Sequence, residues 1–178
     1  MILDKEIVAE KYLDILEIAV AATKFCGYES KEYRIMIKSD EDSIRPYFRV
    51  IFDERYGSAS NEPTYSLSTT ISLNDDNNIT SIWVHEHSGD YNGHVDKMSL
   101  QFEGYANTTG ESTYFHPNNN GELEVTTVTT EYRGHTNKGI DYNSSSKKTE
   151  VYEFDGNWKN LSSDMPKKSQ ENSKKSIR

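Results

Sequence analysis

The sequence has a single cysteine, Cys26, which excludes an intramolecular disulfide framework and any all-cysteine metal site. A lone cysteine ordinarily behaves as a small hydrophobe, so Cys26 reads as a buried helical thiol. No apolar run approaches the roughly 18 residues that a membrane span requires. The N-terminus lacks the basic, apolar, small-residue order of a signal peptide, and a soluble, unexported, cytoplasmic protein is expected. Phosphate-cradling motifs are missing: there is no G-x-x-x-x-G-K-S/T and no strand-linked G-x-G-x-x-G. There is also no G-x-S-x-G, and Cys26 has no histidine near it, so no nucleophile is marked. The expectation is a protein that is not an enzyme and needs no cofactor. Basic residues are scarcest in the middle of the chain, where Lys97 alone stands against 11 acids between Tyr56 and Tyr132. Direct binding of nucleic acid through its phosphates needs clustered Lys and Arg, and an anionic membrane is disfavoured for the same reason.

What is present points to one folded domain. The chain has 178 residues, a usual length for a single domain. With 34% apolar residues, 28% charged and a mean hydropathy of -0.83 it is polar. Yet 12 Tyr, 6 Phe and 2 Trp are too many aromatics for a disordered chain. The charge is segregated. Residues 1–161 carry 15 Lys and Arg against 27 Asp and Glu, whereas residues 162–178 carry 5 against 2. Residues 1–161 are therefore read as the domain and 162–178 as a disordered basic tail, since the tail has no apolar periodicity.

Along the domain, one amphipathic helix is predicted over 4–25, with Ile7, Val8, Tyr12, Ile15, Leu16, Ala19, Ala22 and Phe25 on one face. Asp4 suits its N-cap and Gly27 its left-handed C-cap. The period then switches to two. Strands are predicted over 33–38, 47–53, 64–73, 79–87, 95–104, 122–132 and 149–154. The clearest alternation sets Leu67, Thr69, Ile71 and Leu73 against Ser66, Ser68, Thr70 and Ser72. Turn-rich clusters fall at 74–78, 88–93, 118–121, 134–139 and 143–146, and Pro46 hints at an edge strand. The fold class that follows is α+β: the N-terminal helix packed on a curved antiparallel meander of about seven strands. A β-barrel or sandwich with one helix is the alternative.

Two residue patterns suggest metal binding. His85 and His87 form an H-x-H pair whose rings project from one strand face, about 7 Å apart. With a third ligand from His94, His116 or Asp90 they would make a metal-binding or metal-dependent site. The ordinary reading is that the pair continues the face of Trp83 as solvent-side or rim residues of the sheet, because the loop spacing matches no metal-site pattern. Oxygen-rich turns at Asp75, Asp76, Asn77 and Asn78 and at Asp141, Asn143 and Ser145 are like hard-cation loops in composition only. The second fails as an EF-hand, with Ser146 in the glycine position and Tyr152 in that of the bidentate glutamate.

The acids and tyrosines of the middle segment carry the leading functional expectation. Asp75, Asp76, Asp90, Asp96, Glu103, Glu111, Glu122 and Glu124, with Tyr91, Tyr105 and Tyr114, describe a partner-binding surface suited to a basic protein. Small acidic proteins that occupy a nucleic acid channel are similar in size and charge. They include immunity proteins against nuclease toxins and phage-encoded anti-defence inhibitors. That similarity is one of composition. The expectation is a non-enzymatic inhibitor that acts as a nucleic acid mimic on a nuclease or other nucleic-acid-binding protein. Besides the His85/His87 metal protein, a subunit that assembles with its own copies through a sheet edge is the remaining alternative.

Overall fold

The computed structural model describes residues 2–3, 10–29, 33–38, 47–56, 63–96, 101–135 and 139–161. Within these, side chains are described except at 2–3, 10–11, 35–38, 63, 91–96, 101–106, 135 and 139–141. The predicted N-cap at Asp4, Pro46 and the tail 162–178 lie outside the described residues.

The sheet follows chain order. It contains β1 (Ile2–Leu3), β2 (Arg34–Lys38), β3 (Tyr47–Tyr56), β4 (Pro63–Leu73), β5 (Ile79–Asp96), β6 (Gln101–Pro117), β7 (Leu123–His135) and β8 (Gly139–Tyr152). Each strand pairs antiparallel with the next. The body of the sheet is six strands of ten to eighteen residues, β3 to β8, with the short β1 and β2 extending one edge. This is α+β with a meander sheet, as expected. The sheet is single and open, with β1 and β8 at opposite edges, which overturns the barrel or sandwich alternative.

The expected count of about seven strands is not met, for an identifiable reason. Segment 95–104 is not a strand of its own: β5 ends at Asp96, β6 begins at Gln101, and these two residues face each other across the ladder. The cluster at 88–93, expected as a turn, lies inside β5 and pairs in unbroken register with Thr109 through Gly104 of β6. The cluster at 143–146 likewise lies inside β8, opposite Tyr132 through Thr129. Cross-strand pairing overrides local turn preference at both places.

The turns that do form are those with an asparagine clamp. Asn74 Oδ1 accepts hydrogen bonds from the backbone N–H groups of Asp76 and Asn78. Asn118 Oδ1 does the same for Asn120 and Glu122. Both turns put their fourth residue in the left-handed region, Asn77 at φ 62° and Gly121 at φ 74°, a conformation that asparagine and glycine tolerate best.

Helix α1 (Glu10–Phe25) ends in a Schellman motif at Gly27, φ 89°, with Gly27 N–H donating to Lys24 O and Tyr28 N–H to Thr23 O. Its inward stripe includes Leu16, Ile18, Ala19, Ala22 and Thr23, all buried. The two small alanines let the helix axis approach β4 and β5 closely. Larger rings close the ends: Tyr12 stacks on Phe48, and Phe25 meets Phe115 and Tyr152 edge-on at 5.4 and 5.6 Å. From the sheet, Phe48, Val50, Leu67, Ile71, Ile82, Val84, Phe115, Leu123 and Val125 complete one apolar layer. A closing 3-10 turn, Trp158–Leu161, seals its margin, and Lys159 Nζ bridges back to Asp14 at 2.9 Å. No helix among the described residues is long and apolar enough to cross a membrane.

Candidate functional site on the bare face of the sheet

Strand alternation gives the sheet two unlike faces. One carries the apolar layer under α1. On the other, the described residues pack against no helix, and the ladder aligns their side chains in rows. One row runs Arg49, Thr70, Trp83, Tyr114 and Thr126 across five strands. A second runs Ser68, His85, Ser112 and Val128, and a third runs Tyr47, Ser72, Ser81, His116 and Glu124.

Because the β4 side chains on this face are small, Ser66, Ser68, Thr70 and Ser72, its larger neighbours on either side stand up as walls. The result is a trough of about 840 Å³ with Tyr47 and Arg49 on one flank and Trp83, His85, Tyr114 and His116 on the other. That volume lies within the range of small-molecule sites. Trp83 and Tyr114 face each other directly across β5 and β6 and remain 49% and 42% exposed. His85 and His116 pack against them, ring to ring, at 5.9 and 5.7 Å.

His85 Nδ1 and Ser112 Oγ are hydrogen-bonded at 2.6 Å. Burial, then the neighbouring His87 and Arg49 charges, push the His85 pKa below its usual value, so the ring is neutral at physiological pH. A hydroxyl beside a neutral imidazole has the spacing of a nucleophile and its base. Ser112 sits in the interior of the sheet, between β5 and β7. The pair can hydrogen bond a ligand lying on this face.

Among the described side chains, the residues expected to form one acidic partner surface fall at more than one place on the sheet. Asp75, Asp76 and Glu122 lie on the two asparagine-clamped turns, which adjoin at one end of the sheet. Glu111 is on the helix side, and Asp90 shares its face along β5 with Glu86. Tyr114 and Glu124 are on the bare face. Residues Tyr91, Asp96, Glu103 and Tyr105 belong to β5 and β6, but their side chains lie outside those described. Among the described side chains the segment's acids divide between the two faces and the turns, because successive residues of a strand point to opposite faces.

His85 and His87 share the bare face with Trp83, in keeping with their expected place on the solvent side of the sheet. His94 is seven residues further along the same uninterrupted strand, about 23 Å from His87. The His94 side chain lies outside those described, and among the described residues no three His, Cys, Asp or Glu side chains converge on a metal position. Cys26 is half-buried beside the helix cap, and burial pushes its thiol up to about 11, which keeps it protonated.

Two features were missed by sequence reasoning. Arg49 and Tyr47 are far from Trp83 and Tyr114 in the chain and meet them only through strand order; the one available signal was the serine and threonine alternation of β4, which marks the trough floor. The second is the pair Glu86 and Glu111, directly opposite each other on the helix side. Tyr28, just past the helix, donates from its hydroxyl to Glu111 Oε1 at 3.1 Å. Burial, then the Glu111 charge, raise the Glu86 pKa.

A carboxyl whose pKa is higher when folded costs stability at neutral pH, and that cost disappears as pH falls through the folded value to the ordinary one. Glu86→Gln is therefore expected to stabilise the protein at pH 7 by up to about 1 kcal/mol, the scale of like charges paired across a ladder. The gain should vanish near pH 4 in urea titrations of both proteins. An equal gain at both pH values would exclude charge as its origin.

No family model, curated protein or solved structure matches this chain. The functional reading therefore rests on the geometry of the trough.

Proposed function

We propose that this protein is a non-enzymatic binding module that works through the bare face of its sheet, with a ligand seated in the trough against Trp83 and Tyr114. The observation that carries this reading is the directly paired, half-exposed Trp83 and Tyr114 on a face that no described element covers. Large aromatic rings are costly to leave in water, and a patch of them rimmed by polar groups is the usual mark of a binding surface. The hydroxyls of Ser68, Thr70 and Ser72 supply polar contacts along the floor.

The test is a thermal-shift screen of chemically varied small molecules against the wild-type chain and a Trp83→Ala variant. A ligand at one hundred times its Kd adds about 2.7 kcal/mol, which for a chain of this size raises Tm by roughly 5–10 °C. That shift is expected to be absent in Trp83→Ala. A shift that survives the substitution undiminished would place the ligand elsewhere.

A second reading keeps the inhibitor of a basic, nucleic-acid-binding protein. It is favoured by the adjoining exposed turns that hold Asp75, Asp76 and Glu122 at one end of the sheet. Such a partner would associate through long-range attraction, weaken as salt rises, and be indifferent to Trp83→Ala. These signatures separate it from trough binding.

A further inference from the structure

Resting on the bare-face reading, we propose that the trough binds a nucleotide, its base against the Trp83–Tyr114 wall and its phosphate at Arg49. The argument begins with charge. The chain has 29 acids and 20 bases, yet none of the eleven residues lining the trough is an acid, and one of them is Arg49. At the chain's overall composition about two of eleven residues would be acids, whereas here the one formal charge is positive.

Among the described residues Arg49 forms no ion pair; its guanidinium makes a long contact of 3.4 Å with the Ser68 hydroxyl. Its fork is therefore open to a bidentate phosphate contact, a geometry that arginine matches better than lysine. Thr70 lies between Arg49 and Trp83 in the same row, so two strand spacings, about 10 Å, separate the cation from the aromatic wall. A lone anion would leave the rings unused, and an uncharged ring would leave Arg49 unused. A ligand that joins an aromatic ring to an anion through a polar linker uses both, and its sugar would lie over the hydroxyls of β4. Stacking on tryptophan or tyrosine is the ordinary way a protein holds a nucleobase outside a duplex.

The test uses the full chain with adenosine monophosphate, guanosine monophosphate, adenosine and inorganic phosphate, followed by isothermal titration calorimetry and intrinsic tryptophan fluorescence. Both nucleotides are expected to bind and to quench Trp83, with adenosine and phosphate each at least tenfold weaker. Arg49→Gln should weaken nucleotide binding about ten- to hundredfold, the scale of a charged hydrogen bond, and bring it level with adenosine. Trp83→Ala should remove binding and Trp83→Phe restore part of it, which distinguishes a lost stacking contact from a misfolded variant.

Absence of nucleotide binding at millimolar concentration, or affinity unchanged in Arg49→Gln, overturns the proposal. If nucleotides fail while another compound gives a Trp83-dependent thermal shift, the nucleotide assignment is wrong and the binding face remains. If no compound gives one, the bare-face reading goes with it.

Discussion

Phe115→Ala is expected to lower the unfolding free energy by about 3–5 kcal/mol, the usual cost of removing a fully buried phenylalanine. Phe115 has no exposed surface, its ring meets Phe25 of the helix at 5.4 Å, and its strand neighbours on the same face are Ile82 and Val125. It joins the two halves of the apolar layer. Single domains have only about 5–15 kcal/mol in total, so the loss would bring the native state close to its threshold. The measurement is the midpoint of urea unfolding followed by circular dichroism, with the slope unchanged.

The adjacent residue supplies the control. Tyr114 points to the other face and is 42% exposed, so Tyr114→Ala should cost much less while disturbing the trough. Comparable losses for the two substitutions would mean that the faces are not divided as the register requires.

This pair also shows what was legible in the sequence. The alternation that separates the two faces was plain on β4, where Leu67, Thr69, Ile71 and Leu73 are all buried, as was the helix stripe through Leu16, Ala19 and Ala22. The cap at Gly27 and the turns at Asn74 and Asn118 could be read as well. Each depends on a few contiguous residues and on local backbone chemistry.

What could not be read depends on partners. Asn143 to Ser146 have the composition of a turn but are extended because Tyr132 to Thr129 offer a ladder to pair with. Whether Glu111 and Glu124 share a surface is decided by the hairpin at Asn118–Glu122, which sets their strands in register with Glu111 and Glu124 on opposite faces. The trough was hidden for the same reason. Arg49 reaches the row of Trp83 only because β3, β4 and β5 are sequential neighbours with Arg49 opposite Thr70 and Thr70 opposite Trp83.

Among the described residues, the apolar layer contains a threonine link between helix and sheet whose direction can be deduced. Thr23 Oγ1 donates to the Ala19 carbonyl at 2.8 Å and lies 2.7 Å from Thr69 Oγ1. A threonine hydroxyl has one hydrogen. Since that of Thr23 goes to Ala19, Thr69 must donate to Thr23. Both residues are buried, at 2% and 0% exposure, so neither hydroxyl can turn to water.

The two single substitutions are consequently unequal. Thr23→Val strands the Thr69 hydroxyl as a buried donor and is expected to cost about 1–3 kcal/mol. Thr69→Val leaves Thr23 still donating to Ala19 and removes only an accepted bond, a loss of about 1 kcal/mol or less. The double variant replaces both hydroxyls by methyl groups of similar shape and should be no less stable than Thr23→Val alone, giving a non-additivity of about 0.5 kcal/mol or more, in the range seen for residues that share a hydrogen bond. A double-mutant cycle in urea decides the matter. Strict additivity, or a larger cost for Thr69→Val than for Thr23→Val, would show that the hydrogen bond runs the other way or does not couple the helix to the sheet.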